Sequence, residues 1–265
     1  MTRCFTTLAA IAAVLALADV ARAQEGELPP QFSSDRPGFA NTTATAAVFH
    51  LTTEMGAVAT ISDDPTGSLP NLRLRFGLLD WLEARVIAPS AIGDFGAGGP
   101  RIGLGDMALG FKVGSAVADT VRIAMVWDFT MPTATERTPD TSFGSPEVTV
   151  TGEAVLDWSF WGPLTLTPEA IFHINAELDP LSGETVRVFD GGGSLKLTWQ
   201  IIDSLGVFVQ SYVLKSELSD VRVQVGGGIY FLALPNWQLD ASFDTRVTEQ
   251  GDDPTVQVGT TILWM

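Results

Sequence analysis

The chain is 265 residues long and 46% hydrophobic, enough for a large core or a membrane surface and too apolar for a disordered segment. Only 17% of its residues are charged, but 31 acids outnumber 15 bases for a net charge of −16, a field that repels phosphate backbones and argues against nucleic acid as a partner. With 26 glycines, 15 prolines and no apolar run of about 18 residues beyond the N-terminus, the composition also argues against a helical membrane protein.

The first 23 residues read as a secretory signal peptide. Arg3 precedes the apolar stretch Leu8–Leu17, and Ala21-Arg22-Ala23 supplies a small-x-small cleavage site. Cleavage there removes Arg3, Cys4, Asp19 and Arg22, leaving 13 bases, 30 acids and no cysteine, so neither disulfides nor a thiol nucleophile are expected. Residues 24–41 are polar and proline-marked, a segment expected to lie in the periplasm or to plug a lumen.

From 42 to 265 apolar residues recur at every second position, the period of strands with two unlike faces. Leu72, Leu74, Phe76 and Leu78 alternate with Arg73, Arg75 and Gly77, and Leu82, Ala84 and Val86 with Glu83 and Arg85. Met107, Leu109, Phe111 and Val113 then oppose Asp106, Gly110 and Lys112, and Val121, Ile123, Met125, Trp127 and Phe129 oppose Arg122, Asp128 and Thr130. Two hairpin strands follow, with Glu153 and Asp157 on the polar face of the first and Glu169 and His173 on that of the second. Strands around Leu195–Trp199 and Trp237–Phe243, with weaker ones near 50–61, 205–214, 222–233 and 255–264, bring the count to about twelve.

The connections alternate in length. Tight turns at Leu79–Trp81, Gly114–Asp119, Ser159–Gly162, Ile202–Ser204 and Leu234–Asn236 separate long links at 62–70, 88–103, 131–146, 176–185, 215–221 and 247–254. An even strand number with short periplasmic turns and longer external loops predicts an all-β fold, a transmembrane antiparallel β-barrel of the bacterial outer membrane. Trp81, Trp158, Trp161, Trp199, Trp237 and Trp264 fall beside the short turns or the chain end, as an aromatic girdle at one membrane interface would require. A lipocalin-like soluble barrel, apolar inside, is the structural rival.

With the apolar face outward, the lumen receives ten acids, Glu54, Glu83, Asp106, Asp128, Glu153, Asp157, Glu169, Asp190, Asp240 and Asp244, and eight bases, Arg73, Arg75, Arg85, Lys112, Arg122, Lys196, Arg222 and Arg246. Near-balanced charges in a narrow interior are expected to pair across strands. Arg73, Arg75 and Arg85 beside Glu83 are the expected selectivity cluster, with Asp106, Lys112, Arg122, Glu153, Glu169 and Asp240 as further lumen residues. Glu153 and Glu169 are expected roughly opposite each other, as glycoside hydrolysis would need, but among so many acids a pair by register is unremarkable, and a network with Lys112 or Arg122 is the better reading. His50 and His173 have no metal-like spacing, and no serine-nucleophile elbow or phosphate loop occurs. The sequence therefore predicts no enzyme, metal or cofactor.

Asp35-Arg36-Pro37-Gly38-Phe39, Leu74-Arg75-Phe76-Gly77-Leu78, Leu82-Glu83-Ala84-Arg85, Gly103-Leu104-Gly105-Asp106 and Pro235-Asn236-Trp237-Gln238-Leu239-Asp240 resemble the outer-membrane transporter-like family of phenol meta-pathway (MetA) degradation proteins. The sequence departs from that pattern at Gln210, where an acid is usual, and in ending Trp264-Met265. The resemblance implies a barrel for uptake of small, often aromatic compounds, with outer-membrane lipid, a small-molecule solute and the barrel-assembly machinery as partners. A non-conducting structural barrel and a soluble periplasmic binding protein are the alternatives.

Overall fold

Alternation becomes fifteen strands in the computed structural model, which describes residues 32–36, 38–96, 99–135, 143–178, 184–217, 220–248 and 253–264. The expected signal peptide lies outside these residues. In chain order the strands are β1 (Leu51–Thr60), β2 (Thr66–Leu69), β3 (Arg73–Leu79), β4 (Leu82–Ile87), β5 (Ala91–Asp94), β6 (Arg101–Leu104), β7 (Met107–Ala118), β8 (Val121–Met131), β9 (Thr149–Trp161), β10 (Leu164–Leu178), β11 (Thr185–Ile202), β12 (Leu205–Ser216), β13 (Arg222–Leu234), β14 (Trp237–Arg246) and β15 (Thr255–Trp264). Among the described residues there is no helix.

Twelve of the strands, β1, β3, β4 and β7 to β15, form an antiparallel sheet that closes when β1 pairs with β15 from Leu51↔Trp264 to Thr60↔Thr255. Closure removes every open edge from the barrel, so the backbone groups of its wall are satisfied within the wall, as lipid demands. The remaining three, β2, β5 and β6, extend from the far end of β1 as a small side sheet. They occupy links that read as loops in sequence, because four-residue strands are too short for alternation to register.

Five two-residue turns, at 80–81, 119–120, 162–163, 203–204 and 235–236, lie at one end, and the long connections lie at the other. One turn differs from expectation. β7 continues through Gly114 to Ala118, and Gly114 is a place of close approach: a Cβ there would lie 2.5 Å from the carbonyl oxygen of Thr43. The glycine that looks like a breaker in sequence admits another part of the chain to the wall.

The pleat sends apolar side chains outward and polar ones inward. Leu78, Leu109, Phe129, Leu195, Val209, Val213, Ile229, Leu239 and Phe243 are exposed on the exterior, while Glu54, Arg75, Glu83, Arg85, Lys112, Gln210 and Asp244 are buried. A soluble calyx would have the opposite arrangement.

Candidate functional site

The lumen is occupied. Residues 32–36 and 38–46, preceding β1, fold into the barrel and bond to its wall in nearly every direction. Ser34 Oγ lies 2.7 Å from Thr261 Oγ1 on β15, the Asp35 amide donates to Glu54 Oε1 on β1 at 2.8 Å, and the Phe39 amide donates to Gln210 Oε1 on β12 at 3.0 Å. Lys196 Nζ on β11 donates to the Ala40 carbonyl at 2.8 Å, and the Thr43 hydroxyl donates to Asp157 Oδ2 on β9 at 2.6 Å. The Ala46 amide donates to Glu83 Oε2 on β4 at 2.6 Å before the chain passes to Phe49, whose amide reaches the Gly77 carbonyl. The plug thus extends past Asn41, the end that composition suggests for this segment.

Charge explains why the segment is held there. Register sets Arg75 of β3 directly opposite Arg85 of β4, with Lys112 opposite Glu83 on the next pair, and like charges facing each other across strands are destabilising. The wall supplies Glu83, 2.9 Å from Arg75 Nη2, Glu54, 2.8 Å from Arg75 Nη1, and Asp128 of β8, 3.8 Å from Arg85, three acids against Arg73, Arg75, Arg85 and Lys112. Asp35 of the plug completes the set, at 2.6 Å from Lys112, 3.3 Å from Arg85 and 3.5 Å from Arg75. Burial opposes ionisation of Asp35, but the fields of Arg75, Lys112, Arg85 and Arg73 outweigh it and hold the carboxyl well below the usual carboxylate range.

A second clamp lies on the opposite side of the plug. The Asn41 side-chain amide donates to Glu153 and to Glu169 Oε1, the Asn41 backbone amide also reaches Glu169, and Asn41 Oδ1 accepts from Arg85 at 3.2 Å. Glu153 pairs in register with Ile171, and Glu169 with Val155. The two carboxylates are therefore diagonal rather than opposite, and they share a plug residue rather than Lys112 or Arg122.

The plug separates two cavities. One of about 340 Å³ opens toward the two-residue turns and is lined by Ser34, Arg36, Lys196, Gln200, Tyr230 and Gln238 among others. Another of about 240 Å³ lies toward the long loops, against Arg36, Glu54, Val58, Leu72, Arg73 and Ile87.

The family described as "Putative MetA-pathway of phenol degradation" matches residues 34–262. The chain belongs to that family. The match begins inside the plug and ends two residues short of the end of β15. No curated protein matches the chain significantly. Among solved structures, an outer-membrane channel from Pseudomonas putida F1 superposes with a TM-score of 0.70 at 12% identity, over 86% of this chain and 100% of the channel. The NanC porin gives 0.57 at 11% identity over 80% and 98%, and the KdgM porin 0.53 at 4% over 81% and 99%. At these identities the likeness is one of fold, a porin-type barrel. With its closed wall and apolar exterior, this family member resides in the bacterial outer membrane.

Arg75, Glu83, Arg85 and Lys112 meet in the central lattice, where each is at most 1% exposed. Arg73 stands beside it, with its side chain 26% exposed toward the long-loop cavity. Asp240 pairs with Arg36 of the plug at 3.3 Å. Arg122 is opposite Asp157 in register. Asp106 is apart from the lattice: its oxygens accept from the amides of Thr133, Ala134 and Ser145 and tie down the β8–β9 connection. It is the last residue before β7, where the chain has already left the wall. Trp158, Trp161, Trp199, Trp237 and Trp264 are exposed near the two-residue turns, and Trp81 is in one of them. Trp237 and Trp264 point their Nε1 donors at Thr260 and Thr53 of the wall. Trp127 packs edge-on against Phe172 instead.

Sequence reasoning from the strands missed Asp35, Arg36, Asn41 and Thr43. A signal was present: β3, β4 and β7 carry Arg73, Arg75, Arg85 and Lys112 against Glu83 alone, a local excess that no count over the whole lumen reveals.

Proposed function

We propose that this protein is an outer-membrane channel for uptake of small solutes, aromatic or carboxylated compounds among them, and that its own N-terminal segment closes it at rest. The observation that carries the reading is the division of the lumen: a cavity lies on each side of a thin plug. A barrel filled only for support would be packed throughout, whereas a passage interrupted at one level has this form. In this reading the two-residue turns face the periplasm, the long loops face outward, and the tryptophans near the turns form the inner interfacial girdle. Arg73 and Asp240 line the route, while Arg75, Glu83, Arg85 and Lys112 hold the plug. Lipid, solute and the barrel-assembly machinery are the partners.

A specific observation favours a second reading, a non-conducting structural barrel: the plug is fixed by buried charges rather than by exposed ones. Planar-bilayer recording separates the two. The refolded chain should show small, infrequent openings, and a chain lacking residues 32–46 larger and lasting ones. Absence of current from both, in protein whose heat-modifiable mobility shows a closed barrel, would leave the structural role.

A further inference from the structure

Within the plug, Arg36 differs from Asp35. Asp35 is bound by four cations at one buried point, whereas among the described residues Arg36 makes a single ion pair, to Asp240 at 3.3 Å, and one further hydrogen bond from its guanidinium, to the Val258 carbonyl at 3.2 Å. Its side chain is 12% exposed, and it lines both cavities. It rests in a hollow made by two glycines of adjacent strands. A Cβ on Gly56 or on Gly259 would come within 2.5 Å of the guanidinium, so the space it fills would be open lumen if the side chain swung away.

The long-loop cavity presents two guanidiniums with unused donors. Arg73 approaches Asp35 at 3.8 Å and Glu54 at 3.6 Å, both beyond hydrogen-bonding length. Among the described residues neither Arg73 Nε nor Arg36 Nε has an acceptor, although both are buried. Asp35 and Glu54 at the floor of this cavity are shared with Arg75, Arg85 and Lys112, which take their close contacts, so Arg73 is matched in charge but its donors stay unspent. Val58, Leu72 and Ile87 supply apolar wall. A guanidinium with free donors is a carboxylate site, and apolar wall beside it selects an anion with an apolar body.

We infer that the long-loop cavity binds small carboxylates with an apolar body, and that such a solute opens the passage by taking Arg36 from Asp240. The inference rests on the channel reading. The solute's carboxylate replaces that of Asp240 on the guanidinium, and the side chain of Asp240, fully buried behind Arg36 at rest, gains solvent as Arg36 swings away. Asp35 and its lattice stay in place, so the plug need not leave the barrel. Arg36 is a gate, and Arg73 is the residue that first receives the anion.

Calorimetric titration of the refolded full-length mature chain with benzoate, and with benzyl alcohol as the uncharged counterpart, tests the site directly. Benzoate should bind, and benzyl alcohol about tenfold or more weakly, the loss expected for one charge-assisted contact. Arg73→Ala should weaken benzoate about tenfold for the same reason, and Asp240→Asn, which removes the competitor but keeps the shape, should tighten it by a similar factor. In bilayers, benzoate should raise the open probability of the wild type, and Arg36→Ala should be open without it. Equal binding of the two probes, or no binding of either, overturns the proposal without any variant having to fold. If the chain lacking residues 32–46 conducts while benzoate leaves the wild type closed, the gate fails and the channel reading stands. If that chain carries no current, both fail.

Discussion

Replacing Asp35 with Asn removes one negative charge and almost no volume, and it leaves Arg73, Arg75, Arg85 and Lys112 facing Glu54, Glu83 and Asp128, four cations to three acids. Arg75, Arg85, Lys112, Glu54 and Glu83 are at most 1% exposed, so solvent screens the imbalance little. Removing one partner from such a buried set costs about 3–5 kcal/mol in the state that keeps the others buried. Undocking the plug would let water reach the cations, so the penalty falls mainly on the docked form, and the undocked population should rise about a hundredfold or more. A cysteine at Ser34 reports this, because Ser34 is 8% exposed when docked and a refolded chain beginning at Gln24 has no other thiol. Maleimide labelling of Ser34→Cys should be slow, and Asp35→Asn should accelerate it by a comparable factor. Adding Lys112→Met leaves three cations to three acids and should slow it again, a coupling that independent sites would lack. Labelling that is equally slow with and without Asp35→Asn would refute the lattice as the plug's anchor.

The charge state of Asp35 sets a pH dependence. Its pKa is depressed on docking, so its contribution is complete above its ordinary value of 3.8 and is lost only as pH falls below that toward the docked value; the effect of Asp35→Asn on conductance should stay constant from pH 7 to about 4 and shrink under stronger acid. On the exterior, Val209→Arg at the depth of Gln210 should destabilise the barrel in vesicles by about 2–4 kcal/mol, and Thr198→Arg, at the turn-side cavity, by much less. Equal penalties in denaturant titration would contradict a lipid-facing exterior. Impermeant thiol reagents on intact cells should label a cysteine at Asp63, in a long connection, and spare one at Asp203, in a two-residue turn; the reverse pattern would invert the orientation.

The wall was legible in the sequence because a strand with one face in lipid and one in a polar lumen repeats every two residues, and this chain keeps that period through Arg73–Ile87, Met107–Met131 and Trp237–Arg246. Turn positions followed from the same alternation, except at Gly114, where the residue's role is set by Thr43, far away in sequence. The plug was not legible as structure, since it has no period: its conformation is fixed by bonds to the barrel, such as Asn41 on Glu153 and Glu169, and none of these is local. Asp106 was misplaced for a related reason. Alternation assigns it to the lumen face, but alternation cannot show that the wall begins one residue later, at Met107.

Barrel size and charge pattern together account for the form of the closure. Eight strands would let side chains fill the interior, and sixteen or more would leave a broad aqueous channel that solvates its own charges. Twelve do neither, so Arg75 and Arg85, forced opposite each other by register, carry with Arg73 and Lys112 one charge more than Glu54, Glu83 and Asp128 of the wall supply, and need a further anion. Any occupant of the lumen must bring it. Asp35 does so for the resting state, at the depth where the cations converge, and its field there favours staying put. Arg36, one residue away, faces a wall of Gly56 and Gly259 with one acid, and its one ion pair among the described residues can be exchanged for another carboxylate. Adjacent residues of opposite charge thus divide the tasks of anchoring the plug and of letting solute pass, and a variant that reverses them, Asp35→Arg with Arg36→Asp, should do neither.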